Sequence, residues 1–288
     1  MKITVKIING FTINNKGGNP AGIVLDADEL KSEEKQSIAA KVGISETAFV
    51  SASNVADFKL DFFTPVKQIA HCGHATIATF SYLKQIQKIK QNNSSKETID
   101  GIRNIYFEGN DAFMEQNAPS YKVPKVVMAE ILASLNLKNS DLINDLEATI
   151  VNTGNSFFII PVSSEAILKK IEPNFNKIEK VSEQFNLIGY YVFTNNVASK
   201  DFDATTRMFA PLYGIEEEAA TGMAAGPLGC YLYHNGLSKT SFNIEQGKFM
   251  KEPSVSKIKV NLNIEDDKIT NLFAGGSASI SNEIIVEL

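Results

Sequence analysis

Tryptophan is absent from this chain, and of its 288 residues only two are cysteine and three histidine. Two thiols, Cys72 and Cys230, cannot build the disulfide framework that staples small secreted domains. Apolar runs are short as well. The longest stretch, 157–162, is interrupted by Pro161, far from the roughly 18–20 apolar residues a spanning helix requires. In the opening MKITVKIING, Lys6 breaks the apolar pattern before an h-region can form. No secretory signal is therefore expected there, and a reducing, cytoplasmic location is. A basic surface is also missing. The 28 Lys and Arg stand against 33 Asp and Glu, for a net charge of −5, with no cationic block to hold a phosphate backbone. His71-x-x-His74 brackets Cys72, but neither CxxC nor HExxH completes a ligand set, so no metal is expected. With membrane and nucleic acid excluded, the chemistry of a small molecule remains.

At this length two domains are expected, each with a real core. Strands and helices alternate throughout. Strands are predicted at 3–8 and 21–26, and a helix capped by Ser32 and ending near Gly43, its start marked by Glu33 and Glu34. A hairpin is predicted over 47–51 and 57–63, followed by an element from about 73 to 90 that begins as an apolar helix. That helix is expected to fade into the charged, Asn/Ser-rich run 84–97, read as a solvated tail and loop. Strands near 103–107 and 111–116 close the first half. Pro119 and Pro124 bracket a polar stretch that reads as a domain boundary. The second half restarts with a helix near 125–136 and strands at 147–151 and 157–162. Helices near 163–171 and 175–185, a strand at 188–194, a strand leading to Phe209 and a helix at 222–234 follow. Four strands from 240 to 287 end the chain. The expected lobes are 1–118, completed by a strand at about 276–288, and 125–275.

The halves echo each other. Phe63-Thr64-Pro65, Cys72-Gly73-His74-Ala75 and Tyr82-Leu83 return as Phe209-Ala210-Pro211, Thr221-Gly222-Met223-Ala224 and Tyr231-Leu232, with nine positions from glycine to tyrosine in both copies. A strand, a glycine turn and a small-residue helix thus occur twice. Glycine at a helix head leaves backbone N–H groups open to an anion, which the helix dipole favours. Two such heads facing one another would hold a carboxylate and stabilise negative charge developing beside it. Proton transfer at carbon also needs an acid/base group. Glu46, a lone carboxylate ahead of an apolar strand, is the first candidate, and burial would be expected to raise its pKa. His74 at a helix start is the second. Glu218, last of the run Glu216-Glu217-Glu218, is a third.

These residues sit in motifs that, taken together, resemble the phenazine-biosynthesis PhzF-like isomerase family. The matching stretches are Gly18-Asn19-Pro20-Ala21-Gly22, Ser45-Glu46-Thr47-Ala48-Phe49, Phe63-Thr64-Pro65 and Cys72-Gly73-His74-Ala75-Thr76. Asn152-Thr153-Gly154, Arg207-Met208-Phe209-Ala210-Pro211, Ala220-Thr221-Gly222, Gln246-Gly247 and Gly275-Gly276 continue the match to the far end. The resemblance implies a fold similar to diaminopimelate epimerase: α+β, with two pseudo-symmetric domains. Each would be a curved, mostly antiparallel sheet around a central helix, with the site in the cleft between them. It further implies a cofactor-free homodimer that moves a proton between carbons of a small carboxylate-bearing substrate. Glu46 would be the acid/base, with His74 and Glu218 as catalytic partners. Ser45, Gly73, Gly154, Thr221, Gly222 and Met223 would bind substrate. The related epimerases use a pair of cysteines. Cys72 holds the first of those positions and Thr221 the second, which argues against a two-cysteine mechanism. Glu218 and Ala219 replace the family's Asp-Pro, Met223 replaces a serine, and Lys251-Glu252 stand where Gly-Arg is usual. Pro227 inside the second central helix is expected to kink it. The other readings of the same scaffold are an amino-acid or hydroxy-acid epimerase and a non-catalytic binding protein.

Overall fold

The computed structural model describes residues 1–124 and 128–288. The chain divides into two compact units, Met1–Glu115 with Gly275–Leu288, and Gln116–Ala274.

The first unit opens with strand β1 (Lys2–Gly10), whose alternating Val5 and Ile7 point into the core. A turn leads to β2 (Asn19–Val24). Gly18 in that turn has φ +86°, and a Cβ there would lie 2.5 Å from the Gly10 carbonyl oxygen, so only glycine fits. Helix α1 (Ser32–Val42) follows, with Lys31 at its N-cap and Gly43 ending it in the left-handed conformation. It begins one residue earlier than the sequence pattern suggests. The Glu34 carboxylate accepts the Lys31 amide at 2.8 Å, so Ser32 becomes the first helical residue instead of the cap. Next come β3 (Thr47–Ser51), β4 (Phe58–Phe63), the two-residue β5 (Gln68–Ile69) and helix α2 (Gly73–Gln85). Strands β6 (Asn93–Thr98), β7 (Gly101–Glu108) and β8 (Asp111–Asn117) complete the run.

The second unit carries β9 (Ser120–Lys122), α3 (Met128–Ser134), β10 (Thr149–Asn152), β11 (Ser156–Pro161), α4 (Glu165–Lys170), α5 (Phe175–Phe185), β12 (Gly189–Thr194) and β13 (Ala204–Phe209). Helix α6 (Gly222–His234), β14 (Ser241–Gln246), β15 (Ser256–Glu265) and β16 (Lys268–Gly276) follow. The final strand, β17 (Ala278–Glu287), returns to the first unit and pairs with β1 antiparallel from Lys2↔Glu287 to Gly10↔Ala278. The helix expected near 125–136 is seen from Met128, and 125–127 lie outside the described residues.

The internal echo extends to topology. In the first unit β1–β2 is antiparallel, β2–β3 parallel, β3–β4 antiparallel, β4–β6 parallel and β6–β7 antiparallel. In the second, β10–β11, β11–β12, β12–β13, β13–β14 and β14–β15 repeat that alternation in the same order. The parallel steps carry the helical crossovers, as they must. Each unit therefore wraps its strands around one buried helix. Every residue from Gly73 to Leu83 of α2 is buried, as are ten of those in α6. A helix apolar on all sides is stable only when enclosed in this way. Phe49 and Phe63 pack edge to face at 5.5 Å in the first core, and Phe158 and Tyr190 at 5.7 Å in the second. Helix α6 continues through Pro227 to His234. Among the described residues no helix is long and apolar enough to cross a membrane.

One segment departs from expectation. The run 84–97 is helix tail and loop only as far as Asn92: α2 stops at Gln85, and 93–98 form β6. Its inward positions are Ser94, Lys96 and Thr98, all buried. The alternation of a strand is present, but polar residues carry it.

Candidate active site

In the first unit, Glu46 immediately precedes β3, its carbonyl accepting the Gly22 amide of β2 at 2.9 Å. Cys72 is the N-cap of α2, and Gly73 and His74 are that helix's first two residues. The parallel β2–β3 step and the β4–β5 turn bring these two chain segments together. His74 Nε2 lies 3.2 Å from Glu46 Oε2, and His74 Nδ1 lies 3.6 Å from Cys72 Sγ. Glu46 is 6% exposed and His74 3%. Ser45 also hydrogen-bonds the Glu46 carboxylate.

Burial alone does push the Glu46 carboxyl upward, as the sequence suggests. The charge and hydrogen bond of His74, with the Ser45 bond, outweigh it and hold the group below its ordinary value. The expected upward shift is thus corrected to a downward one: the sequence placed Glu46 in an apolar setting and left out its partner. Burial raises the Cys72 thiol, with His74 offsetting only part of the shift. Glu46, Cys72 and His74 offer donor atoms that lie within 4.8 Å of one another. Cys72 Sγ meets Nδ1 and a Glu46 oxygen meets Nε2 of the one His74 imidazole. His71, which the sequence sets beside this group, turns instead to Lys96, whose Nζ is 3.1 Å from its Nδ1.

In the second unit, Glu218 accepts a hydrogen bond from the Thr221 hydroxyl at the head of α6. Gln246, fully buried at the end of β14, clamps this turn. Its Oε1 accepts the Thr221 amide at 3.1 Å, and its Nε2 donates to the Glu218 carbonyl at 2.7 Å and to Thr221 Oγ1 at 3.1 Å. Tyr191 donates to the same Oε1 at 2.9 Å. Glu217 makes a two-pronged ion pair with Arg207, both contacts at 2.8 Å, which fixes the acidic run. Gln116 donates to the Gly222 carbonyl at 3.0 Å and accepts from Thr153 at 2.7 Å. The Gly154 loop meets this helix head where Asn155 Nδ2 lies 3.5 Å from Met223 Sδ. Gly154, with φ +115°, sits at the exposed tip.

The predicted site residues thus form two groups, Ser45–Glu46–Gly73–His74 in the first unit and Gly154–Glu218–Thr221–Gly222–Met223 in the second. Gln246, Gln116 and Arg207 are the supports that sequence reasoning missed. Gln246 and Arg207 each stood in a matched motif, and that was the only available signal for them.

Two sheet-wrapped helices, with a buried carboxylate–imidazole pair at the head of one, define the class: an α+β isomerase with an epimerase-like fold. The chain belongs to the phenazine biosynthesis-like family, PhzC-PhzF, whose model matches residues 8–283. An uncharacterized isomerase of Clostridium acetobutylicum is 32% identical over 97% of both chains. A Bacillus anthracis phenazine biosynthesis protein of the PhzF family superposes with a TM-score of 0.89 at 29% identity, covering 100% of both chains. A hydroxyproline epimerase from Agrobacterium vitis shares the fold, with a TM-score of 0.59 at 11% identity, over 99% of this chain and 92% of that one.

Proposed function

We propose that this isomerase shifts a proton between carbons of a small carboxylate-bearing substrate, without metal or cofactor, and that Glu46 is its acid/base. The observation that carries the reading is the buried Glu46–His74 contact of 3.2 Å. A carboxyl held below its ordinary value enters the cycle ionised, as a base. It takes the proton from one carbon and returns it to another, with His74 holding the carboxylate in place between the two steps. Glu218, bonded by Thr221, is the second carboxyl of the mechanism. Ser45 and the helix heads at Gly73, Gly222 and Met223, with the Gly154 loop and Thr221, receive the substrate. The helix heads favour its carboxylate through their dipoles. The working form is a cytoplasmic homodimer, which light scattering would report as twice the 31.5 kDa chain.

The decisive experiment is solvent-deuterium exchange followed by NMR over a panel of cyclic and amino-acid carboxylates. The wild type should label at least one substrate, and Glu46→Gln should lose that labelling by about 10²–10⁴-fold. A shifted double bond in the product supports isomerisation, whereas inversion at a single carbon identifies an epimerase. Exchange that persists in Glu46→Gln removes Glu46 from the reaction. A carboxylate that binds without exchange, with an affinity that Glu46→Gln changes only slightly, favours the non-catalytic binding reading.

A further inference from the structure

Lys96 is fully buried on β6, and among the described residues no carboxylate lies within ion-pair distance of its Nζ. Its Nζ donates to Thr76 Oγ1 at 2.7 Å and lies 3.1 Å from His71 Nδ1. It also sits over the Phe62 ring of β4, 5.2 Å from the centroid. Thr76 in turn donates to the Cys72 carbonyl, from its hydroxyl at 2.6 Å and from its amide at 3.2 Å. One amine therefore reaches residues 71 and 76, on either side of the Cys72-Gly73-His74 turn. The charged and titratable groups around it are His71 and Cys72 before α2, Arg103 directly opposite on β7, and Asp100, which pairs with Arg103 at 3.2 Å.

An amine without a carboxylate partner is costly to bury, and apolar residues would fill this strand position more cheaply. Its three contacts are directed, and all lie between His71 and Thr76 or on the Phe62 face beneath them. An ammonium can only donate, so while Lys96 is protonated the ring proton of neutral His71 is set on Nε2. We propose that Lys96 is a positioning residue for the Glu46–His74 pair: its amine ties the His71 imidazole to the Thr76 hydroxyl and so sets the turn from which His74 reaches Glu46. This rests on the reading of Glu46 and His74 as the acid/base pair, and no part of it requires Lys96 to touch substrate.

The chain has three histidines, so ring ¹⁵N spectra of the labelled protein are readily resolved. The test compares wild type, Lys96→Met, Glu46→Gln and the double variant, without substrate. In Lys96→Met the His71 ring should lose its Nδ1-acceptor signature and protonate at higher pH than in wild type, because both the donor and the neighbouring charge are gone. Glu46→Gln should displace the His74 ring signals in the Lys96 background, and by less than half as much in the Lys96→Met background. Equal displacement in both backgrounds overturns the proposal, as does an unchanged His71. If Lys96→Met does not fold, Thr76→Val takes its place. It should leave the His71 acceptor signature intact and still reduce the Glu46-dependent displacement at His74; an undiminished displacement counts against the brace. These readouts need no turnover, so an absence of deuterium exchange would sink the isomerase reading and leave the brace standing.

Discussion

Lys96 and Glu46 are both buried ionisable groups, and their pH signatures run in opposite directions. Burial lowers the Lys96 ammonium from 10.5 to about 7. Between those values the unfolded chain holds the proton that the folded chain has released, so stability rises with pH across this window. The gain is at most about 1.4 kcal/mol per pH unit. Urea unfolding of wild type and Lys96→Met at fixed pH should show their difference climbing above pH 7 in favour of wild type, and flat below it. Glu46 is held below its ordinary 4.5 by His74. Its contribution is present above that value and is lost as pH falls through the lower, folded one. The stability advantage of wild type over Glu46→Gln should therefore be constant near neutrality and shrink in acid, measured by the same denaturation series. Glu46 and His74 were legible in the sequence because each stands in a short motif of unusual composition. Lys96 was not, because a lysine among asparagines and serines reads as solvent-facing.

At the scale of the element, what was legible followed apolar content. Helix α6, small and apolar throughout, lies at the expected 222–234, and the strands with apolar inward faces fall within two or three residues of expectation. Strand β6 was missed because its inward face is Ser94, Lys96 and Thr98, which gives no hydrophobic period to detect. The supports of the second group were hidden for a related reason: Gln116 and Gln246 act across strands far apart in sequence. Gln116 makes one element-level prediction. A Cβ at Gly226 would fall 2.4 Å from its Oε1, and the amide is pinned by Gly222 and Thr153. Alanine normally stabilises a helix interior over glycine. Here the displaced, buried amide should outweigh that gain, and Gly226→Ala should lose about 1–2 kcal/mol in chemical denaturation. Adding Gln116→Ala should make the Gly226→Ala step neutral or favourable, since the obstacle is then gone.

For the whole molecule, the repeated alternation of parallel and antiparallel steps gives two units with separate cores, and β17 belongs to the first of them. Val286 on that strand packs with Val5, Ile38 and Phe49. Removing the residues after Ser277 should strip hydrogen-exchange protection from 1–115 while 116–274 keep theirs, as mass spectrometry of peptic fragments would report. Uniform loss across both units would mean that they fold as one cooperative block.

The long return of that strand also dictates an order of assembly at the ribosome. Residues 2–10 emerge early, yet their partner at 278–287 leaves the exit tunnel only after all of 116–274 has been made. The segment translated first must therefore wait with one edge open, where stray strands could add to it. The half made later can mature ahead of it.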